Sequence, residues 1–95
     1  MTNEEMLEYV ASSIRRIRIA KRLSQLELSA AANMSQSFIA NLETGKKEPS
    51  AMTLIRLANA LEVSPREFFP DIYEISVANV KSEIKKEIIE LLNRL

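Results

Sequence analysis

Residues 23–45 read LSQLELSAAANMSQSFIANLETG, and this stretch decides the fold. Residues 24–27, SQLE, have the spacing of a capping box and predict a helix that begins at Gln25. Asn33 tolerates the left-handed backbone that ends a helix, and Ser35 is a suitable N-cap for the next one. The stretch therefore predicts a helix-turn-helix, in which a turn of about three residues joins two short helices.

Apolar residues in these two helices recur at helical spacing, which identifies the sides that face a core. In the first helix of the pair the expected inward positions are Leu28 and Ala31. In the second they are Ile39 and Leu42, and Gly45 supplies a left-handed stop just after it.

The flanking sequence predicts a helix on either side of this pair. An amphipathic helix over residues 4–21, with Asn3 as its N-cap, precedes the pair, and a helix capped by Ser50 follows it. The stripes expected to face the core are Leu7, Val10, Ile14 and Ile17 in the former and Leu54, Leu57, Ala58 and Leu61 in the latter.

A second capping box, SPRE at residues 64–67, predicts a short fifth helix with proline at its first position. Phe68 and Phe69 are expected to fill the core, and Pro70 ends this helix. One glycine and three prolines in 95 residues leave little material for hairpins. The predicted fold class is therefore all-α, with a helix-turn-helix domain over residues 1–70.

Residues 71–95 are predicted to contain an additional C-terminal amphipathic helix of about 20 residues. One interpretation is a dimerisation helix that pairs with its copy through a short coiled-coil-like seam. The other is a sixth helix that folds back onto its own domain. A lone amphipathic helix of this length is marginal in water unless its apolar face is buried. We favour dimerisation, with a seam formed by Val77, Val80, Ile84, Ile88, Leu91 and Leu95.

The chain has a formal net charge of zero, yet its charges are unevenly distributed. Residues 11–56 hold eight basic and three acidic side chains, whereas residues 1–10 and 57–95 are both net acidic. A polyanion responds to the field within about 10 Å rather than to the charge of the whole chain. The basic middle therefore favours DNA as a partner, and chance clustering on solvated helix surfaces is the alternative.

The composition argues against an enzyme. The absence of cysteine and histidine excludes a disulfide, a thiolate metal site and an imidazole base, and we expect neither a metal nor a cofactor. No apolar run approaches the roughly 18 residues of a membrane span, and the acidic N-terminus lacks the layout of a signal peptide. We therefore expect a cytoplasmic protein that does not bind membranes.

The exposed side of the helix over residues 36–44 is expected to carry Gln36, Ser37, Ala40 and Asn41. Gln and Asn can pair bidentately with adenine, Ser can donate or accept, and Ala can contact the thymine methyl group. Each residue alone is more typical of a solvated helix surface than of a DNA contact. Combined with the caps and the turn, the four indicate a recognition helix that enters the DNA major groove.

These features together resemble the phage Cro and repressor type of helix-turn-helix domain, also called the xenobiotic-response-element family. The likeness covers residues 12–70 and implies a five-helix, lambda-repressor-like bundle. The ordered set is more specific than any fragment of it. The matching residues are Leu23-Ser24-Gln25, Leu28, Ala30, Ser35, Ile39, Leu42-Glu43, Gly45, Pro49-Ser50, Leu54, Leu57-Ala58, Ala60-Leu61 and Val63-Ser64.

The resemblance also implies roles for individual residues. Three would read base edges: Gln36, Ser37 and Asn41. Four would lie at the phosphate backbone: Gln25, Ser35, Lys46 and Lys47. Arg18 and Glu43 would form a partly buried ion pair that ties the first helix to the third, the alternative being two surface charges of little energetic value.

The chain departs from the family at three positions. Arg22 and Asn33 stand where the family usually has glycine, and Ser29 replaces the usual alanine. Asn tolerates the left-handed region better than Arg does, so we expect the turn at Arg22 to differ. Serine is small enough to keep the helices closely packed at position 29.

The sequence thus predicts a sequence-specific transcriptional regulator that binds a two-fold symmetric operator as a homodimer, with half-sites about 34 Å apart. The expected partners are double-stranded DNA, a second copy of the chain and a regulatory protein. The alternative is an antitoxin or another interaction module whose C-terminal helix binds a different protein.

Overall fold

The structure, a computed structural model, describes residues 1–71 and 82–94, without the side chains of residues 82–85 and 88. Throughout this part of the chain the regular structure is helical, which confirms the all-α fold class. None of the described helices combines the length and hydrophobicity that a bilayer crossing requires. The elements are α1 (Asn3–Ala20), α2 (Gln25–Ala32), α3 (Gln36–Glu43), α4 (Ala51–Leu61), a 3₁₀ helix (Pro65–Phe68) and α5 (Ser82–Asn93).

Serine side chains start α2, α3 and α4, as the sequence predicts. The hydroxyls of Ser24, Ser35 and Ser50 each accept a hydrogen bond from the backbone N–H three residues later, at 2.9, 3.1 and 3.1 Å. The box at the start of α2 is complete, because the Ser24 N–H also donates to the Glu27 carboxylate at 3.0 Å. Hydrogen bonds from the Ser24 backbone, and then from its side chain, lower the pKa of Glu27.

The predicted N-cap of α1 was wrong by one residue. Thr2, not Asn3, caps this helix: its backbone is extended and its hydroxyl accepts the Glu5 N–H at 3.1 Å. Threonine and asparagine are both good caps, so the sequence alone does not distinguish the two neighbours. Asn3 is the first helical residue.

The inward side of α2 also differs from the prediction by one position. Ala31 is exposed, and Ala32 is buried together with Leu28 and Ser29. Three- and four-residue spacings from Leu28 both fit a helix of 3.6 residues per turn. Packing of α2 against both α3 and α4 selects the four-residue spacing.

The second capping box was wrong, although proline does occupy the first helical position. The turn is a 3₁₀ helix, and the Glu67 N–H donates to the Ser64 carbonyl oxygen at 3.0 Å rather than to its hydroxyl. Phe68 is fully buried, whereas Phe69 is 39% exposed and was wrongly assigned to the core. Phe69 follows the 3₁₀ helix with an extended backbone, φ −108° and ψ 151°, so its ring does not continue the helical side that buries Phe68.

A single cluster of apolar side chains joins the first four α-helices and the 3₁₀ helix. The stripes predicted for α1, α3 and α4 face it except at Leu7, which is half-buried and is not part of the cluster. Its buried members are Val10, Ile14, Ile17, Leu28, Ala32, Ile39, Leu42, Leu54, Leu57, Ala58, Leu61 and Phe68. Because α1 and α2 both pack on α3, this core holds α3 on one side and leaves its other side to solvent.

The C-terminal tail is described only in part. Val77, Val80 and Leu95 of the predicted seam lie outside the described residues, as do the side chains of Ile84 and Ile88. Leu91 is 64% exposed on α5, and Leu92 is also exposed. The division into a domain over residues 1–70 and a tail over residues 71–95 stays a prediction.

The two adjacent phenylalanines provide a matched test of this core. Phe68→Ala should lower the free energy of unfolding by about 3–5 kcal/mol, because it empties a fully enclosed site. Phe69→Ala should cost less than about half as much, since that ring keeps much of its contact with water. Urea unfolding followed by circular dichroism measures both, and equal losses would contradict this arrangement.

Candidate nucleic-acid interface

The turn between α2 and α3 consists of three residues, 33–35. Asn33 adopts φ 56° and ψ 49°, the left-handed conformation expected of a helix terminator. The Met34 N–H donates to the Ser29 carbonyl oxygen at 2.8 Å and closes the end of α2. Ser35 then caps α3 immediately. Two helices joined this closely form a compact helix-turn-helix.

Helix α3 has one buried and one solvent-facing side. Ile39 and Leu42 are fully buried, whereas Gln36 and Ser37 are exposed and Asn41 is half-buried. Within the described residues the amides of Gln36 and Asn41 have no hydrogen-bond partner. The predicted base-reading residues thus lie on one short helix, with donors and acceptors free to meet a base edge.

The two hydroxyls at the start of α3 are linked. The Ser35 and Ser37 oxygens lie 3.3 Å apart, and either can be the donor. The Ser35 oxygen also accepts the Phe38 N–H as the helix cap. One hydroxyl proton serves the contact between the serines, so the other is available to a DNA acceptor at the N-terminal edge of α3.

A buried ion pair fixes α3 to α1. The Nε and Nη2 atoms of Arg18 donate to the two carboxylate oxygens of Glu43 at 2.7 and 3.0 Å. The Arg18 Nη1 atom also donates to the carbonyl oxygen of Leu23 at 2.8 Å. The hydrogen bond with Glu43 raises the pKa of Arg18, against the opposing effect of burial. Both residues are less than 10% exposed, so this is not a loose surface contact.

Gln25 joins the same carboxylate, which sequence reasoning missed. Its Nε2 atom donates to the Glu43 carboxylate at 3.1 Å, and its side chain is half-buried. A carboxylate only accepts hydrogen bonds, so the amide nitrogen must face it. The carbonyl oxygen and the second amide hydrogen remain for other contacts. The two residues are 18 positions apart, and no local sequence signal marks their contact.

The lysines after α3 lie in a loop that turns at Gly45, where φ is 76°. The Lys47 N–H donates to the carbonyl oxygen of Asn41 at 3.1 Å, which holds this loop against the end of α3. Lys46 and Lys47 are exposed, and neither forms an ion pair with residues 1–71 or 82–94. Their ammonium groups are therefore accessible beside α3.

Two of the departures from the family pattern fit the structure without disruption. The Ser29 hydroxyl is buried and donates to the Leu26 carbonyl oxygen at 2.7 Å, so close packing is kept with no unpaired polar group. Arg22 adopts φ 60°, so the turn keeps the left-handed backbone and the expectation of a different turn was wrong. Hydrogen bonds on both sides of Arg22 hold that conformation.

Comparison with known proteins agrees with this geometry. Residues 14–68 match the family model HTH_3, described as helix-turn-helix. The chain is 40% identical over 60 residues to the HTH-type transcriptional regulator y4dJ of Sinorhizobium fredii, covering 63% of this chain and 78% of that one. It is 37% identical over 54 residues to the immunity repressor of Bacillus phage phi105, covering 57% of this chain and 38% of the repressor.

A solved structure shares the same architecture. The restriction-modification controller protein C.AhdI from Aeromonas hydrophila superposes with a TM-score of 0.65 and 33% sequence identity. The match covers 66% of this chain and 96% of the controller protein.

Removal of the Glu43 carboxylate should show how much the stability of the fold depends on the ion pair between α1 and α3. Glu43→Ala should lower the free energy of unfolding by about 3–5 kcal/mol, because it leaves the Arg18 guanidinium buried without its partner. Glu48→Ala, at an exposed site nearby in sequence, should leave stability almost unchanged.

The double substitution Arg18→Met with Glu43→Leu should cost less than Glu43→Ala alone, since no buried charge remains. Urea unfolding measures all three variants. A larger loss in the double variant than in Glu43→Ala would show that burial of an unpaired charge is not the dominant effect.

Proposed function

The chain belongs to the helix-turn-helix family HTH_3 of DNA-binding transcriptional regulators, and from that premise we propose that it recognises a specific, two-fold symmetric operator as a homodimer. The observation that carries the proposal is the polar edge of α3. Gln36 and Ser37 face solvent on a helix whose opposite side is anchored by fully buried Ile39 and Leu42. Such an edge suits insertion into the major groove.

Base recognition is assigned to three side chains of α3. The Gln36 and Asn41 amides can each pair with the N6 and N7 atoms of adenine, and Ser37 can donate or accept at a neighbouring base. Core packing and the Arg18–Glu43 pair restrain the helix. This rigidity supports sequence discrimination, since less conformational freedom is lost when the contacts form.

Phosphate contacts are assigned to residues on both sides of α3. Lys46 and Lys47 would neutralise phosphates next to its C-terminal end, and the Ser35 hydroxyl would donate at its N-terminal end. Gln25 keeps one amide hydrogen free while Glu43 holds the other, so its side chain is already oriented for a phosphate at the start of α2. These contacts would give most of the affinity and make it depend on salt.

The interface of the proposed homodimer is assigned to α5. An amphipathic helix such as α5 is marginal in water unless its apolar side is covered, and Leu91 and Leu92 are exposed. A second copy of the helix would cover them. Two copies would also place two recognition helices on half-sites about 34 Å apart, as a two-fold symmetric operator requires.

Selection of bound duplexes from a random pool tests the proposal directly. The expected result is an enriched sequence with two inverted half-sites about one helical turn apart. Recovery of no enriched sequence, with binding that depends on salt alone, would contradict specific recognition.

Substitutions should separate base contacts from phosphate contacts. Gln36→Ala should cost about 1–3 kcal/mol of binding on the selected duplex and relax the preference at one base pair of each half-site. Lys47→Ala should weaken binding to the selected and to the scrambled duplex by similar factors. It should also make the slope of log affinity against log salt shallower, by the amount expected for the loss of about one phosphate contact. Fluorescence anisotropy titrations at several salt concentrations measure both. Equal loss of selectivity in the two variants would contradict the assignment.

The dimer is testable on α5. Leu91→Glu should raise the dimer dissociation constant at least about tenfold, because a charge replaces buried apolar surface in the seam. Glu90→Gln, at the adjacent exposed position, should leave it within about twofold. Light scattering coupled to gel filtration measures both. A wild-type chain that stays monomeric at high concentration would contradict the homodimer and favour a different protein as partner of α5.

A further inference from the structure

Arg22 occupies an unusual position for a long, charged side chain. It lies in the turn between α1 and α2, is exposed, and has a backbone φ of 60°. Non-glycine residues avoid this left-handed region because Cβ crowds the carbonyl oxygen. Glycine would remove that strain. Among the described residues, Asn33 and Glu62 are the other non-glycine residues with positive φ, and asparagine tolerates it best.

The Arg22 turn is fixed relative to the recognition helix. The Arg22 N–H donates to the Ile19 carbonyl oxygen at 2.9 Å, and the Leu23 N–H to the Arg18 carbonyl oxygen at 3.1 Å. The Arg18 guanidinium donates one hydrogen bond to the Leu23 carbonyl oxygen and others to the Glu43 carboxylate of α3. One guanidinium therefore holds both the backbone next to Arg22 and the end of the recognition helix.

The Arg22 side chain itself has no acidic partner within residues 1–71 and 82–94. The acidic residue closest to it in the following sequence, Glu27, is engaged with Ser24 in the capping box. Gln25 follows Arg22 by three residues and has one amide hydrogen free. The phosphate contact proposed for that hydrogen lies at the start of α2. Arg22 is thus an exposed, unpaired cation directly before α2, and the first helix of a helix-turn-helix is the one that crosses the DNA backbone.

We propose that Arg22 is a further phosphate-contacting residue, which binds the DNA backbone beside Gln25. This inference rests on the proposed function. The guanidinium suits a phosphate because it presents several donors in a planar fork. The cost of the left-handed backbone to the free protein is then offset by the contact in the complex.

The proposal predicts opposite effects on stability and on binding from one substitution. Arg22→Gly should raise the melting temperature by about 4 °C, because it relieves the left-handed strain. It should also reduce the slope of log affinity against log salt by about 0.9 and weaken binding about eightfold at 0.1 M salt, on selected and scrambled duplexes alike. Arg22→Lys should keep the slope, since the charge remains.

Glu62→Gly is the matched control, because Glu62 has φ 57° at the end of α4 and is not among the residues proposed to contact DNA. It should raise the melting temperature similarly and leave the salt slope unchanged. The probes are the duplex enriched from the random pool and a scrambled duplex, each titrated at several salt concentrations, together with thermal unfolding of every variant.

The outcomes separate this inference from the proposed function. Selective binding by the wild-type chain with an unchanged salt slope in Arg22→Gly would overturn the Arg22 contact and leave operator recognition standing. A lower melting temperature in Arg22→Gly would overturn the claim that the left-handed backbone at Arg22 destabilises the free protein. Failure of the wild-type chain to select any duplex would overturn both proposals.

Discussion

The buried carboxylate of Glu43 is the point on which the helix-turn-helix depends. It accepts hydrogen bonds from two nitrogens of Arg18 and from the amide of Gln25, so one group connects α1, α2 and α3. Removing two charges from water costs several kcal/mol unless the geometry is close to ideal. Packings that separate Arg18 from Glu43 are therefore strongly disfavoured, and the network restricts α3 to one position against α1.

Apolar packing and this polar network restrain α3 in complementary ways. Burial of Ile39 and Leu42 fixes which side of the helix faces the core, but hydrophobic contact is non-directional and tolerates small sliding motions. The bidentate pair is directional and removes that freedom. Recognition of base edges needs both kinds of restraint, because a hydrogen bond to DNA weakens steeply when its donor is misaligned.

The features that the sequence predicted correctly are mostly ones determined by neighbouring residues in the chain. The caps at Ser24, Ser35 and Ser50 follow from residues within one helical turn, and so does the left-handed stop at Asn33. Errors arose where two local solutions are equally good, as for the adjacent phenylalanines after Pro65, and tertiary packing chooses between them. The hydrogen bond from Gln25 to Glu43 could not be derived at all, because it exists only once α2 and α3 have packed together.

A chain with no net charge can still carry a local excess of basic side chains, and α1 shows how. Its first turn carries Glu4 and Glu5, whereas the exposed cations Arg15 and Arg16 lie towards its other end, which leads into the exposed Arg22. At 1.5 Å per residue, Glu4 and Arg16 lie about 18 Å apart along the axis, almost twice the screening length at 0.1 M salt. The acidic end therefore does little to cancel the basic end. It would instead repel a polyanion, so the field along α1 favours an approach in which its basic end faces the DNA.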